Sequence, residues 1–314
     1  MSTFEQFNLP KSVQKAIDEL GFTTPTPIQE KSFSVIMSGR DMMGIAQTGT
    51  GKTFAYLLPL LKLYKFTNTN TPKIVILVPT RELVVQVVEE VEKLTKYMSV
   101  STLGIYGGVN INTQKKAVYE GVDILVGTPG RTMDLALDAV VRFDETQKLV
   151  IDEFDEIASA REHNSSTKGV VNELLKMIPL FRSTPGHLLV CATNFVADID
   201  SAVLRPGRFD LVIPIGPPDL SARRSLWEAA LARLDHQGVD VEELALKTQG
   251  YTPGDVELAS QRAAAAAFDR IREGLEPAFV ASADLDAAVA RTRPSVTVEI
   301  SERFSEEVLK YARV

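Results

Sequence analysis

Ala46-Gln47-Thr48-Gly49-Thr50-Gly51-Lys52-Thr53 follows a short apolar run, Met42–Ile45, and precedes a stretch of helical pattern, Phe54–Leu61. Glycines at that spacing let backbone N–H groups curl around phosphate oxygens. The lysine adds charge for β- and γ-phosphates, and the last threonine can ligate Mg²⁺ through its hydroxyl. Strand, glycine loop and helix in that order read as a phosphate-binding loop. Gln47, Thr48, Gly49, Thr50, Gly51, Lys52 and Thr53 are its expected contacts with ATP or ADP.

Further apolar runs suit buried parallel strands: Ile74–Val78, Ser101–Tyr106, Ile124–Val126, Leu149–Ile151, Leu188–Cys191 and Leu211–Ile215. Helical stretches such as Glu82–Met98 lie between them, which is the alternation of a parallel α/β sheet. Leu149-Val150-Ile151 ends in Asp152-Glu153. There Asp152 is expected to hold Mg²⁺ through water, and Glu153 to polarise an attacking water as general base. The strand Leu188–Cys191 is expected to lie beside the phosphate-loop strand, whose apolar edge it covers. Beyond Pro217-Pro218 the pattern is helical only, over Leu220–Arg233, Val241–Lys247, Asp255–Glu273, Leu285–Arg291 and Ser301–Tyr311.

A chain of 314 residues with 45% hydrophobic and 24% charged content has the make-up of an ordinary globular protein of about two domains. No apolar run approaches ~18 residues, so a membrane span is excluded. The net charge of −7 argues against a protein dominated by nucleic-acid electrostatics, and leaves room for a local basic groove. The single cysteine, Cys191, rules out a disulfide framework. With the polar opening MSTFEQF it points to a cytoplasmic protein. The cysteine and 3 histidines cannot form a zinc centre without many carboxylates, so metal is expected to arrive with a substrate. Basic-residue usage changes along the chain: residues 1–160 hold 12 Lys and 4 Arg, residues 161–314 hold 4 Lys and 14 Arg. That shift fits either domain-specific usage or two parents joined in one chain.

Residues 1 to about 155 resemble the first RecA-like domain of a DEAD-box RNA helicase. Phe22-Thr23-Thr24-Pro25-Thr26-Pro27-Ile28-Gln29 resembles the Q motif, which implies that Gln29 reads the adenine edge and that Phe7 stacks near it. Ala46–Thr53 matches motif I, and Pro79-Thr80-Arg81-Glu82-Leu83 matches motif Ia. Gly107-Gly108 and Thr128-Pro129-Gly130-Arg131 match the glycine doublet and motif Ib. The resemblance makes Arg81, Gly107, Gly108, Thr128 and Arg131 candidates for contact with an RNA backbone. Their chemistry fits, since glycines allow close approach and arginines donate to phosphate. One departure is Asp152-Glu153-Phe154-Asp155, where the family expects alanine third.

From about residue 156 onward the chain resembles the later half of an AAA+ ATPase, beginning with Glu156-Ile157-Ala158-Ser159-Ala160-Arg161-Glu162. Leu188-Leu189-Val190-Cys191-Ala192-Thr193-Asn194 is similar to a sensor-1 strand, which implies that Asn194 holds the attacking water. Cys191-Ala192-Thr193 also falls near where a helicase places Ser-Ala-Thr, so one strand can serve either design. Asp200–Asp210 resembles the arginine-finger segment, with Arg205 and Arg208 as candidate fingers. Gly250–Val256 resembles the start of the sensor-2 helix without its arginine, which leaves Gly254 and Asp255 as nucleotide-lining backbone at most.

Together these readings predict a P-loop NTPase parallel sheet sandwiched by helices over 1–217, helicase-like to 155 and AAA+-like from 156. A helical AAA+-like lid is expected over 218–314. The expected protein is an engineered chimera joined within about 150–161 and mostly monomeric. It is expected to bind Mg²⁺-ATP with weak or absent hydrolysis and single-stranded RNA weakly, and to contact no membrane. Two alternatives stand beside that reading: an RNA-binding helicase fragment and an oligomeric AAA+ motor.

Overall fold

The computed structural model describes residues 3–47, 49–67, 69–158, 168–205 and 207–313. Seven strands among them form one sheet: β1 (Met42–Ala46), β2 (Ile74–Leu77), β3 (Thr102–Ile105), β4 (Ile124–Gly127), β5 (Lys148–Ile151), β6 (Leu188–Thr193) and β7 (Leu211–Ile215). Each falls on an apolar run expected to be a strand. The lateral order is β3-β4-β2-β5-β6-β1-β7, and every neighbouring pair is parallel.

α1 (Lys11–Glu19) and α2 (Pro27–Met37) precede β1, and between the strands run α3 (Lys52–Leu63), α4 (Arg81–Thr95), α5 (Ile111–Tyr119), α6 (Pro129–Leu137), α7 (Phe154–Ile157) and α8 (Lys168–Arg182). After the sheet come α9 (Leu220–Leu231), α10 (Val241–Lys247), α11 (Pro253–Arg272), α12 (Ser282–Arg291) and α13 (Val298–Tyr311). No helix among the described residues is long and apolar enough to cross a membrane.

The chain divides into two compact units. One holds the chain up to Ala46, Lys52–Ile215 and the C-terminal end from Glu307; the other holds Gln47–Gly51 and Gly216–Glu306.

In the sheet unit, β1 and β6 are buried along their whole length, as strands covered on both faces must be. Ile36 of α2 and Leu58 of α3 belong to the core around them, while α4 packs farther along the sheet, with Val84 against Gly104 of β3. β6 sits between β5 and β1, with Val190 opposite Val150 on one side and Met42 on the other. A polar clasp fixes that insertion where β1, β6 and β7 begin. Arg182 donates to the carboxylates of Asp41 and Asp210 and, at 2.5 Å, to the Gly207 carbonyl. Asp41, itself buried, accepts the Leu189 N–H at 2.6 Å. A buried carboxylate is tolerated only when paired and hydrogen-bonded in this way.

Two further contacts tie later segments into the same unit. Phe154, standing where alanine was expected, is fully buried and meets Phe209 edge-on at 6.2 Å. Glu307, near the end of α13, is buried and accepts the N–H groups of Val196 at 2.9 Å and Ala197 at 3.3 Å.

The helical unit has its own core of Trp227, Leu231, Leu244, Tyr251, Val256, Ala259, Ala263 and Leu285. The run of alanines on α11 lets α12 and α9 pack closely. Buried polar groups there are paired: Trp227 donates its indole N–H to Thr248 at 3.0 Å, and Tyr251 donates to the Thr292 carbonyl at 2.6 Å.

Candidate functional site

In a parallel sheet the loops that follow adjacent strands emerge side by side, about 4.8 Å apart. β5, β6 and β1 are neighbours, so Asp152-Glu153, Asn194 and the helix opened by Lys52 leave the sheet at one edge. Ligands in open α/β sheets bind at that carboxyl edge.

Lys52 is only 8% exposed, and its ammonium meets two side chains at this edge. It donates to Glu153 Oε1 at 3.1 Å and to Asn194 Oδ1 at 2.7 Å. Asn194 in turn donates its amide to Glu153 Oε2, closing a three-membered ring of contacts. Glu153 adopts a left-handed backbone, φ 46° and ψ 53°, as the residue preceding α7. Such a conformation costs a non-glycine residue on the order of 1 kcal/mol or more, and here it is held by the side-chain contacts.

Asp152 lies deeper, 7% exposed. Its Oδ1 accepts the Glu153 N–H at 3.0 Å and its Oδ2 accepts the Tyr56 hydroxyl at 3.0 Å. Burial pushes the Asp152 carboxyl above the ordinary carboxylate range, against the pull of Lys52 and Tyr56. Burial raises Glu153 as well, with Lys52 opposing and the Asp152 charge adding to the rise. The Tyr56 hydroxyl is pushed well up by burial and by Asp152.

No group of three or more His, Cys, Asp or Glu that could hold a metal occurs among the described residues. The Thr53 hydroxyl and the Asp152 carboxylate form an all-oxygen pair that suits Mg²⁺ carried by phosphates.

The loop itself, Gln47–Gly51, groups with the helical unit. Thr50 donates its hydroxyl to the Gln47 carbonyl at 2.7 Å, which tightens the turn. Gly49 has φ +80°, and a Cβ there would stand 3.2 Å from the Thr252 hydroxyl and 3.7 Å from the Gly254 Cα. The left-handed backbone calls for glycine, and a side chain would also press on the Thr252 hydroxyl. Thr48 lies outside the described residues, as do Ser159, Ala160, Arg161 and Glu162 of the AAA+-like opening and Pro206 of the arginine segment.

Other expected site residues fall elsewhere. Phe7 is buried in the core, stacked on Phe33 at 4.1 Å between centroids. Gln29 is buried in the first turn of α2, where its side-chain oxygen accepts the Thr26 N–H at 3.0 Å in a capping box. Asp255 accepts from Thr252 and Ser295, so its side chain organises the start of α11. Arg205 is exposed and Arg208 half-buried, and no hydrogen bond among the described residues joins either to the Lys52 cluster.

The residues expected to meet an RNA backbone lie at the same carboxyl edge, after β2, β3 and β4. Arg81 is exposed with its guanidinium 5.0 Å from the centre of the Tyr106 ring. Gly107 and Gly108 face open space, and Gly108 has φ +81°. Thr128 precedes α6. Arg131 differs from the expectation. Its side chain donates to Gln114 Oε1 at 2.6 Å and to the Val109 carbonyl at 3.2 Å, and is 10% exposed. It holds the glycine-doublet loop against α5 rather than standing free for phosphate. Tyr56, Gln114 and the Arg182 clasp were not foreseen, because each pairs with a residue remote in sequence.

Residues 26–199 match the family described as DEAD/DEAH box helicase. Among similar proteins is the ATP-dependent RNA helicase CshA of Listeria monocytogenes, 37% identical over 193 residues, which are 62% of this chain and 35% of that protein. The ATP-dependent RNA helicase DHH1 of Meyerozyma guilliermondii is 38% identical over 191 residues, 61% of this chain and 33% of its own. The ATP-dependent RNA helicase DeaD of Buchnera aphidicola is 40% identical over 157 residues, 50% of this chain and 26% of its own. The chain thus spans about a third or less of the length of these relatives. The family match runs through β6, so the expectation that helicase likeness stops near residue 155 is corrected.

The raised Asp152 carboxyl fixes the sign of a pH effect. It holds its proton more tightly in the folded chain than in the unfolded one. Its contribution to stability is therefore present at low pH and declines as pH rises from the ordinary carboxylate range through the folded-state value. Asp152→Asn removes the buried charge at constant shape. Its melting temperature near neutral pH is expected to exceed the wild type's by a few degrees, roughly 1 kcal/mol, with a flatter fall between pH 4 and 7. A lower melting temperature at pH 7 would show that Lys52 and Tyr56 more than offset the desolvation.

Proposed function

The chain belongs to the DEAD/DEAH box helicase family, and from that premise we propose that it binds Mg²⁺-ATP at the loop Gln47–Thr53 and hydrolyses it slowly. The observation that carries this reading is the convergence of Lys52, Glu153 and Asn194 from three strand ends at 3.1 and 2.7 Å. A buried ammonium held only by side chains that can swing away is suited to exchange them for phosphate oxygens. Thr53 and Asp152 would hold Mg²⁺, which would neutralise phosphate charge. Glu153, raised toward neutrality by burial, is suited to accept a proton from water in the manner of a general base. Asn194 would orient that water. Gln29 and Phe7 belong to the adenine side in this reading.

Slow turnover follows from the arginines. Stabilising the departing phosphoryl charge takes a cation aimed at it, a contribution on the order of 10³–10⁵ in rate in comparable enzymes. The exposed Arg205 and half-buried Arg208 would supply it only from a neighbouring copy, and the proposed state is a monomer. The later part of the chain, from Asp200–Asp210 through the helical unit, supports the AAA+-like half of a chimera by its motifs. In that division 1–217 carries the chemistry, 218–314 acts as a lid, and the protein works in the cytoplasm.

A second activity has its own support: weak binding of single-stranded RNA along the edge formed by Arg81, Gly107, Gly108 and Thr128. Three helices, α4, α5 and α6, begin at that edge, and helix N-termini favour phosphate.

Removing the Lys52 ammonium should weaken ATP at least tenfold, about 1.4 kcal/mol, in a titration with a fluorescent analogue. Unchanged affinity in Lys52→Ala would refute the nucleotide site. For the RNA edge, Arg81→Ala should weaken oligonucleotide binding and lower its salt dependence by about one phosphate contact. An unaltered salt slope would remove Arg81 from the interface.

A further inference from the structure

We propose that Tyr56 is a positioning residue for the Mg²⁺-nucleotide complex: its phenol fixes the orientation of the Asp152 carboxylate from the helix that the phosphate loop opens. The inference rests on the Mg²⁺-ATP reading of the site and extends it to a residue outside the loop and strand motifs.

Tyr56 lies on α3 three residues beyond Thr53, hence one turn along the same face of the helix. It is 2% exposed, and its hydroxyl donates to Asp152 Oδ2 at 3.0 Å. The Thr53 hydroxyl is near enough to the same phenol to oppose the rise of its pKa. The Tyr56 hydroxyl thus bonds one of the two residues proposed to serve the cation, from the helix that carries the other.

Asp152 has its two oxygens anchored from different directions. The Glu153 N–H holds Oδ1 and Tyr56 holds Oδ2, which removes rotation about the last side-chain bond. An ionised carboxylate has about four acceptor sites, so each oxygen keeps one for a water or a cation. Without the phenol the carboxylate keeps a single anchor, and its orientation must be set at the moment of binding. Ordering it then would be charged against Mg²⁺ affinity.

Packing alone does not call for the hydroxyl. Neighbouring positions on α3, Leu57, Leu58 and Leu60, are buried and apolar, and a phenylalanine ring would occupy the same volume. A buried tyrosine hydroxyl is retained only with a partner, and here that partner is the carboxylate.

Tyr56→Phe in the full chain separates this role from a structural one. A fluorescent ATP analogue is titrated in excess chelator and again in Mg²⁺, and Mg²⁺ is then titrated at fixed nucleotide. The chelator affinity should match the wild type, while the Mg²⁺ midpoint rises roughly fivefold or more. Tyr56→Leu, which also loses the ring, should raise that midpoint no further than Tyr56→Phe does. An unchanged midpoint in Tyr56→Phe overturns the proposal, as does an effect in Tyr56→Leu alone, which would assign the residue to packing. If the wild type itself gains no affinity from Mg²⁺, the site reading fails first and the proposal with it.

Discussion

A lysine ammonium at the carboxyl edge of a parallel sheet must be balanced where it stands. Lys52 is buried and meets one carboxylate and one amide, Glu153 and Asn194. Those two partners come from β5 and β6, and they reach Lys52 only because β6 lies between β5 and β1. The lateral order of three strands is thus a condition for the site. The Arg182–Asp41–Asp210 clasp ties β1 to β6 and β7 at the opposite end of the sheet. Charge at one end and chemistry at the other depend on one insertion.

The cluster is also electrostatically uneven. Asp152 and Glu153 stand side by side beside one lysine, and burial raises both carboxyls. A site in this condition favours a ligand that brings its own cations along with its anions. Mg²⁺-nucleotide has that composition. Strain points the same way: the left-handed Glu153 holds a carboxylate toward Lys52 at a backbone cost. Functional sites are where such strain is found.

Much of this was legible in the sequence, for identifiable reasons. Buried parallel strands are short continuous apolar runs, so all seven could be read without alignment. The glycine loop carries its own mechanism in its residue types. Asn194 was legible through its place at the end of an apolar run that resembles a sensor strand. Tyr56 was not, because its partner is 96 residues away and no local period marks it. Arg131 was read from a motif whose residue types suit phosphate, yet its guanidinium is held by Gln114 and Val109. Gln29 carried a second signal, since Thr26 followed three residues later by glutamine is the pattern of a capping box. Helicase likeness extends past residue 155 through β6, whose apolar run reads the same for either resemblance.

Glu153 and Asn194 hold the Lys52 ammonium, and on the proposed reading they release it to phosphate. The most direct test is the affinity of Glu153→Gln for Mg²⁺-ATP, measured by fluorescence titration beside the wild type. The amide removes both the competing ion pair and a negative charge facing the phosphates, so binding should tighten several-fold, on the order of 1 kcal/mol. Equal or weaker binding would contradict the account, because Glu153 would then be neither a competitor for Lys52 nor a neighbour of the phosphates.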